Sequence, residues 1–279
     1  MRLNKFFKLL VVFVTLIGIC FCTSCKNDKV ISVCASRLPH ADVLENCVAD
    51  ILEKQGYTLE VTVLNWTLQN SSVAMGDYDA NYFQHIPFLE DYNGKTKLFP
   101  VCKVHYEPLG IYRGSFNGDL KDGKSFAICN DTSNAIRALE LLYDNGVIPY
   151  IPVNEKNQLT ISSTHTFSNG VTVTLLKEEL LVVSMPDYDF ACLPCNTAYS
   201  GNVDPTKKVA EENSIELLSG KANILAARLD DYNNDAKYKA KIDALADALL
   251  SEEVRNYILN KYSGAIACNE YTQVDLREN

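Results

Sequence analysis

The chain has 279 residues, of which 26 are basic and 35 acidic, so its net charge at pH 7 is −9. Apolar and aromatic residues make up 47% of the sequence, which is enough to bury one large core or two smaller lobes. Because an acidic chain repels phosphate backbones, the composition argues against a nucleic-acid partner.

The first 24 residues have the layout of a secretory signal. Three basic residues, Arg2, Lys5 and Lys8, precede an apolar run over residues 9–21. That run is shorter than the roughly 20 residues that a membrane-spanning helix needs. We therefore expect residues 1–24 to be removed, which leaves 255 residues with 23 basic and 35 acidic side chains and a net charge of −12.

Small residues lead directly to Cys25, as they do at the lipidation site of bacterial lipoproteins. We expect a lipid on Cys25 and a short polar tether over residues 25–29. The protein would then lie at the cell membrane, lipid-anchored on its extracytoplasmic face. The alternative is an ordinary cleaved signal that leaves Cys25 merely near the new end of the chain.

The mature chain opens with strands and helices in alternation. Apolar β-branched residues predict a strand over 30–35, and an apolar stripe predicts a helix over 39–55. A strand over 59–63, a helix over 69–75 and a third strand beginning at 78–80 follow. This β-α-β-α-β order predicts a mainly parallel sheet flanked by helices.

The segment after the third strand start is rich in groups that can bind a ligand. Residues 79–87 read DANYFQHIP and place two aromatic side chains, amides and an imidazole within a few positions. Such a cluster can line a small-molecule pocket or belong to a core, and the pattern alone leaves both open. Residues 103–112 then predict a long extended segment that crosses between parts of the fold.

Residues 118–125, GDLKDGKS, match the phosphate-loop motif without its structural context. The motif binds phosphate when a strand precedes it and a helix follows, so that helix amides face the anion. Here a strand is predicted after the loop, over 126–129, and two acidic residues lie inside the loop. We therefore predict neither nucleotide binding nor a cofactor.

A polar segment follows that strand and caps a predicted helix over 133–145. Residues 130–133 are Asn, Asp, Thr and Ser, which favour helix starts. Asn134 and Arg137 share one helical face, and a guanidinium can hold a carboxylate through two hydrogen bonds. The alternative is a capped surface helix with a solvated arginine. Asn196 is another polar residue just beyond a predicted strand.

The rest of the chain is predicted to contain strands over 160–161, 171–175 and 190–193, followed by helices. An apolar helix face and the cap of the next helix are formed by Ile242, Leu245, Leu249, Leu250 and Ser251. Two α/β lobes fit this order better than one sheet. Lobe 1 is predicted over 30–112 and 224–279, and lobe 2 over 113–223, with a ligand cleft between them.

Seven cysteines remain beyond Cys25, an odd number, so at least one is unpaired within the chain. Several lie in apolar strand-like runs, where cysteine behaves as a small apolar residue. Cys192 and Cys195 form a CxxC pair that admits a redox interpretation. No amphipathic helix begins at the pair to lower a thiol pKa, so burial is the favoured interpretation.

Four segments of the mature chain form a series with a fixed order and spacing. They read ASRLPHADVL (35–44), DANYFQHIP (79–87), KVHYEPLGIY (103–112) and NDTSNAIRAL (130–139). Together with ANIL at 222–225, they resemble the signatures of the NlpA family, the lipoproteins that deliver methionine to an ABC importer. The resemblance extends over essentially the whole mature chain.

The resemblance implies a two-lobed periplasmic-binding fold of type II that closes on L-methionine, a close analogue or a methionine-containing peptide. By motif position, the wall of the side-chain pocket would be formed by Phe83, His85, Tyr112 and Trp66, the last standing where the family usually has tyrosine. The polar end would be formed by Arg137, which holds the carboxylate, and by Asn134, Asn196 and Asn223. The implied protein partners are the permease and ATPase of an ABC importer.

Two other classes of function, metal binding and catalysis, are alternatives to the binding of an amino acid. His105 and Glu107 alternate onto one strand face, and His85 could join them, so the alternative is a zinc-type metal-binding protein. The sequence contains no Gly-x-Ser-x-Gly or His-Glu-x-x-His motif and no close carboxylate pair with a water-activating partner. We therefore do not expect an enzyme.

Overall fold

The computed structural model describes residues 28–212, 220–262 and 266–278 of the chain. The predicted signal over 1–24, the lipidation site at Cys25 and the first residues of the tether lie outside these ranges. The strands are β1 (Val30–Ala35), β2 (Thr58–Val63), β3 (Ala80–His85), β4 (Leu98–His105), β5 (Leu109–Arg113), β6 (Ser125–Cys129), β7 (Thr164–Thr166), β8 (Thr172–Leu176), β9 (Phe190–Pro194), β10 (Lys208–Glu211), β11 (Asn223–Arg228) and β12 (Val274–Asp275).

The first sheet has the strand order β2-β1-β3-β11-β4-β12. Strand β1 is parallel to both neighbours, with Val33 beside Val61 on one side and Ala80 on the other. Strand β11 is antiparallel to β3 and β4, and its first residue, Asn223, lies beside His85 and His105. This register brings polar side chains from three distant segments to one edge of the sheet.

The second sheet repeats this arrangement in the order β7-β8-β6-β9-β5-β10. Strand β6 is parallel to β8 and β9, whereas β5 is antiparallel to β9 and β10. The short edge strand β7 is antiparallel to β8. We call the first sheet with its helices lobe 1 and the second sheet with its helices lobe 2.

Both sheets are therefore mixed, whereas the sequence predicted mainly parallel ones. The reason is the direction in which the chain re-enters each sheet. Strands β1 and β3 end at the edge that faces the other lobe, and β11 begins there after the chain returns from lobe 2. A strand that begins where its neighbours end must run antiparallel to them.

The passage between the lobes differs from the predicted boundary at residue 112. Strand β5 pairs with β9 and β10 and belongs to lobe 2, so the chain crosses between His105 and Leu109. It returns between Glu211 and Asn223. The predicted extended run over 103–112 is divided because Pro108 has no N–H with which to continue a ladder.

Helices cover both sheets, and those predicted over 39–55, 69–75 and 133–145 are present, the first of them as three consecutive segments. Their bounds are Arg37–Ala41, Leu44–Val48, Ala49–Lys54, Trp66–Met75, Ile86–Glu90, Thr132–Asp144, Glu178–Ser184, Cys195–Ser200, Leu229–Asn234, Ala236–Leu249 and Glu252–Lys261. The helix Trp66–Met75 begins earlier than predicted because the Asn65 side chain accepts the Thr67 N–H, and it ends at Gly76 with φ +87°. Within the described ranges, no helix has both the length and the hydrophobicity to cross a bilayer.

The helix Ala236–Leu249 shows how lobe 1 is held together. Asp235 caps it by accepting the N–H groups of Lys237 and Tyr238. Ile242, Leu245 and Leu249 are fully buried against the sheet, as the apolar stripe predicted. Each such side chain contributes about 1.5–3 kcal/mol when it is removed from water.

Capping residues also fix the other helices that the sequence predicted. Ser251 accepts the N–H of Val254 at the start of Glu252–Lys261. In lobe 2, Asp131 accepts the N–H of Asn134 at the start of Thr132–Asp144, whose apolar face is buried against β6. The strand predicted over 160–161 lies instead at Thr164–Thr166.

The seven cysteines beyond Cys25 are buried, and no disulfide joins any two of them within the described residues. Burial raises the pKa of the Cys192 and Cys195 thiols far above the ordinary value, which disfavours the reactive thiolate. A short helix, Cys195–Ser200, does begin at the pair, contrary to the sequence expectation, but the burial of both thiols still gives the CxxC pair the surroundings of packing residues. The phosphate-loop motif likewise leads through a short turn, Leu120–Asp122, into strand β6, so no helix receives an anion there.

Candidate functional site

A small cavity of about 60 Å³, open to solvent on one side, lies where the two sheets face each other. It is lined by the ends of strands, the first turns of helices and the first crossing between the lobes. The lining residues are Ser36, Trp66, Phe83, Gln84, His85, Phe88, Glu107, Asn134, Arg137, Glu178, Pro194, Asn196 and Asn223. Seven of the eight predicted ligand-binding residues are therefore brought together.

Three aromatic side chains of lobe 1 form one wall of the cavity. Phe88 is central, with its ring centroid 5.2 Å from that of Trp66 and 5.7 Å from that of Phe83, both in edge-to-face contact. Phe88 is not among the predicted site residues, although Pro87 before it gives a signal in the sequence. Proline favours the first turn of a helix, so Pro87 predicts that a helix begins directly after β3. Phe88, the next residue, then lies in that first turn, close to the end of the strand that contains Phe83.

His85 connects the aromatic wall to lobe 2. Its Nδ1 accepts the Phe88 N–H at 3.2 Å, which leaves the proton on Nε2 to be donated to Asn134 Oδ1 at 3.1 Å. Burial, together with the nearby positive charge of Arg137, lowers the pKa of His85 to about 4. The imidazole is therefore neutral at neutral pH and acts as a fixed polar link across the cleft.

Arg137 is buried and already has an ionic partner. Its Nε donates to Glu212 at 2.7 and 2.8 Å, and its Nη2 donates to Glu212 and to the Glu107 carbonyl. Glu212 also accepts the Tyr106 hydroxyl and the Leu109 N–H. Among the described contacts Nη1 makes none, so one nitrogen of the fork remains available to a ligand.

Two amides add further donors to the polar end of the cavity. Asn196 Oδ1 accepts the Thr197 N–H at 2.8 Å, and Asn223 Oδ1 lies 3.0 Å from His40 Nε2. With both oxygens engaged, the amide nitrogens are oriented away from these partners and have no hydrogen bond within the described residues. Asn134 differs, because its Nδ2 donates to Asp131.

Two carboxyl groups that line the cavity are held in a low-dielectric environment. Burial raises the pKa of Glu107 to about 7, and it raises the pKa of Glu178 to about 7 as well. Glu178 accepts a hydrogen bond from the Thr197 hydroxyl. Arg137 and Glu212 together carry no net charge. The remaining donors of the cavity can bind a carboxylate, and the two carboxyl groups Glu107 and Glu178 can accept hydrogen bonds from an ammonium group.

Tyr112 is the one predicted site residue that the structure does not bring to the cavity. It lies on β5 within lobe 2 and is buried in a cluster with Leu181 and Met185. The segment that contains it was expected to cross between the lobes, but β5 is a sheet strand, and residues alternate between its two faces. Tyr112 consequently faces the helix Glu178–Ser184.

The alternative metal site predicted from the sequence, His85 with His105 and Glu107, is also not assembled as expected. His105 and Glu107 are adjacent, with His105 Nε2 2.8 Å from Glu107 Oε1, but His85 is bonded to Asn134 instead. The third member of the cluster is His40, whose Nε2 lies 3.5 Å from the same Glu107 oxygen. The strand alternation of His105 and Glu107 was visible in the sequence, whereas the approach of His40 depends on tertiary packing.

Two mixed sheets with helices on their faces and a cavity between them define the fold class of periplasmic substrate-binding proteins. The chain belongs to the NlpA lipoprotein family, whose sequence profile it matches over residues 31–268. The family resemblance and the predicted fold class are thereby confirmed.

Similar proteins are known in sequence and in structure. The chain is 31% identical over 248 residues to the methionine-binding lipoprotein MetQ of Bacillus subtilis (strain 168), covering 86% of this chain and 88% of that one. A nutrient binding protein from Burkholderia cenocepacia, solved bound to methionine, has a TM-score of 0.74 and 28% identity, covering 86% and 99%. Lipoprotein Tp32 from Treponema pallidum has a TM-score of 0.74 and 27% identity, covering 87% and 100%.

Proposed function

We propose that this protein is an extracytoplasmic substrate-binding lipoprotein that captures L-methionine, or a close analogue or methionine-containing peptide, for an ABC importer. The observation that carries the proposal is the cavity, which combines an aromatic wall from lobe 1 with a buried guanidinium and free amide nitrogens. Family membership supports the same role, because relatives named for methionine binding match nearly the full length of this chain.

The charges of the cavity suggest how such a ligand would lie. Arg137 Nη1 would donate to the ligand carboxylate, with the Asn196 and Asn223 amide nitrogens close to the same end. Glu107 and Glu178 would accept from the ammonium group. The thioether would rest against Trp66, Phe83 and Phe88, where each contact of sulfur with an aromatic ring contributes about 0.3–1.5 kcal/mol. This role requires binding and release and no catalysis.

The membrane anchor and the importer belong to the same proposal. The basic start, the apolar run and the small residues before Cys25 support lipid attachment on the extracytoplasmic face. The importer follows from membership of the NlpA family, because the resemblance implies delivery of the ligand to a permease and its ATPase.

Calorimetry on the full chain in detergent tests the ligand. We expect one equivalent of L-methionine to bind with a measurable heat, and weaker or no binding of aspartate, lysine and glycine. The D enantiomer and methionine dipeptides, titrated under the same conditions, determine which form is preferred. Failure of every methionine-like ligand to bind would overturn the proposed specificity.

Asn196→Ala tests whether the free amide nitrogen contributes to binding. Removal of one hydrogen bond of about 0.5–1.5 kcal/mol should weaken the affinity for the ligand about two- to tenfold. Asn46→Ala, at an exposed amide far from the cavity, is the matched control and should leave the dissociation constant unchanged. Equal affinities of the two variants would remove Asn196 from the ligand contacts.

A further inference from the structure

A cluster of metal-ligand side chains lies beside the cavity and has no role in the proposed amino-acid contacts except through Glu107. The donor atoms of His40, His105 and Glu107 all lie within 4.8 Å of one another, and all three residues are buried. Glu107 Oε1 is 2.8 Å from His105 Nε2 and 3.5 Å from His40 Nε2. Ligands that bind one ion at about 2.0–2.2 Å lie at comparable distances from each other.

One residue beside the cluster holds the His105 ring in the orientation that ligation through Nε2 needs. The Tyr82 hydroxyl is hydrogen-bonded to His105 Nδ1, so the second ring nitrogen already has a polar partner. The Nδ1 atom of His40 is buried and has no hydrogen-bond partner within the described residues. Its polar contacts are therefore confined to the nitrogen that faces Glu107 and Asn223.

An entry path and a further ligand are available on the cavity side. Glu107 and Asn223 both line the cavity, so an ion could reach the cluster without unfolding of the core. The Asn223 oxygen is 3.0 Å from His40 Nε2 and is placed to serve as a fourth ligand, alone or together with a water from the cavity.

We propose that His40, His105 and Glu107 form a binding site for a first-row transition-metal ion of the zinc class, at the inner side of the ligand cavity. Two imidazole nitrogens and one carboxylate oxygen are a common protein ligand set for zinc, and a fourth position remains open to oxygen. The metal site shares Glu107 and Asn223 with the proposed amino-acid contacts, whereas His40 and His105 belong to the metal site alone.

The test uses the full chain without a polyhistidine tag, treated with a chelator and titrated with Zn²⁺ in a calorimeter and with Co²⁺ in a spectrometer. We expect one equivalent of each ion and the visible d–d absorption of a four- or five-coordinate cobalt ion. No thiolate charge-transfer band should accompany it, because the buried cysteines are not ligands. The absence of one-to-one binding, or a cobalt–thiolate spectrum, would overturn the site.

Variants then assign the ligands. His40→Gln and His105→Gln should each lose the one-to-one binding of Co²⁺, whereas His85→Gln and His165→Gln are matched controls that should retain it. Tyr82→Phe keeps the ring and should weaken Co²⁺ binding by about 10–100-fold, as loss of a partner that orients a ligand does. Circular dichroism confirms that each variant is folded. Retention of tight binding in folded His105→Gln, or its loss in His85→Gln, would overturn the assignment.

Discussion

Arg137→Ala is expected to lower the free energy of unfolding by about 3–5 kcal/mol. The substitution leaves Glu212 without its close partner and with only Lys221, 3.9 Å away, as a cationic neighbour, while both side chains of the Arg137–Glu212 pair are only 3% exposed to solvent. Removing one partner of a buried ion pair costs this much because the other charge stays desolvated without its compensation. Urea denaturation followed by circular dichroism measures the change.

Two further variants separate this cause from others. In Arg137→Met combined with Glu212→Gln, the amide oxygen still accepts from Tyr106 and Leu109 while no charge remains, so part of the lost stability should return. Arg37→Ala, at an exposed arginine of lobe 1, should change the unfolding free energy by less than about 0.5 kcal/mol. A double variant no more stable than Arg137→Ala would contradict the role of the Glu212 charge.

Arg137 should also be required for ligand affinity. Loss of a charge-assisted hydrogen bond of about 1.5–3 kcal/mol weakens binding by one to two orders of magnitude. Arg137→Lys is the informative variant, because it keeps a positive charge beside Glu212 but lacks the planar fork that leaves Nη1 free. Calorimetry on this folded variant should show weakened methionine binding, and unchanged affinity would argue against the assigned contact.

Lys241→Ala is expected to have a similar effect on stability without an effect on the ligand. Lys241 Nζ donates to Asp79 at 2.6 Å and to the Val30 carbonyl at 2.9 Å, inside lobe 1. The substitution leaves Asp79 buried and without its cation, so the unfolding free energy should fall by about 3–5 kcal/mol. Asp79 precedes β3, and the cavity lies at the other end of that strand, so methionine affinity should stay unchanged.

Lys237→Ala provides the control on the same helix. Lys237 pairs with Asp28, but this pair is exposed, and exposed ion pairs contribute no more than about 1 kcal/mol. Denaturation curves of the two lysine variants should therefore separate clearly. Similar denaturation curves would show that the burial of Asp79 does not determine how much stability is lost when its lysine partner is removed.

The sequence predicted most elements because each depends on nearby residues. Alternating apolar residues placed β2, and Asp131 and Ser251 marked helix starts through their own side chains. The mixed sheets could not be predicted in this way, since the direction of β11 depends on where the chain returns from lobe 2. The same holds for β5, whose partners lie about 80 and 100 residues further along the chain.

The site shows the same limit. The motif positions predicted that Phe83, His85 and Arg137 line one cavity. They did not predict that Glu212 neutralises Arg137, because 75 residues separate Arg137 from Glu212. Tyr112 was misplaced because the face on which a strand residue lies depends on register. Phe88 and Glu178 occupy first turns of helices, and only the packing of those helices directs them to the cavity.

The contacts of Arg137 have a consequence for how the lobes can move. Its guanidinium binds the Glu107 carbonyl in the first crossing and the Glu212 carboxylate where the second crossing starts. Because the chain passes between the lobes at these two places, a rotation of one lobe against the other would turn close to Arg137 and move the aromatic wall of lobe 1 relative to it. A ligand would first be held by its carboxylate at the axis, and the rings would then fold over its side chain.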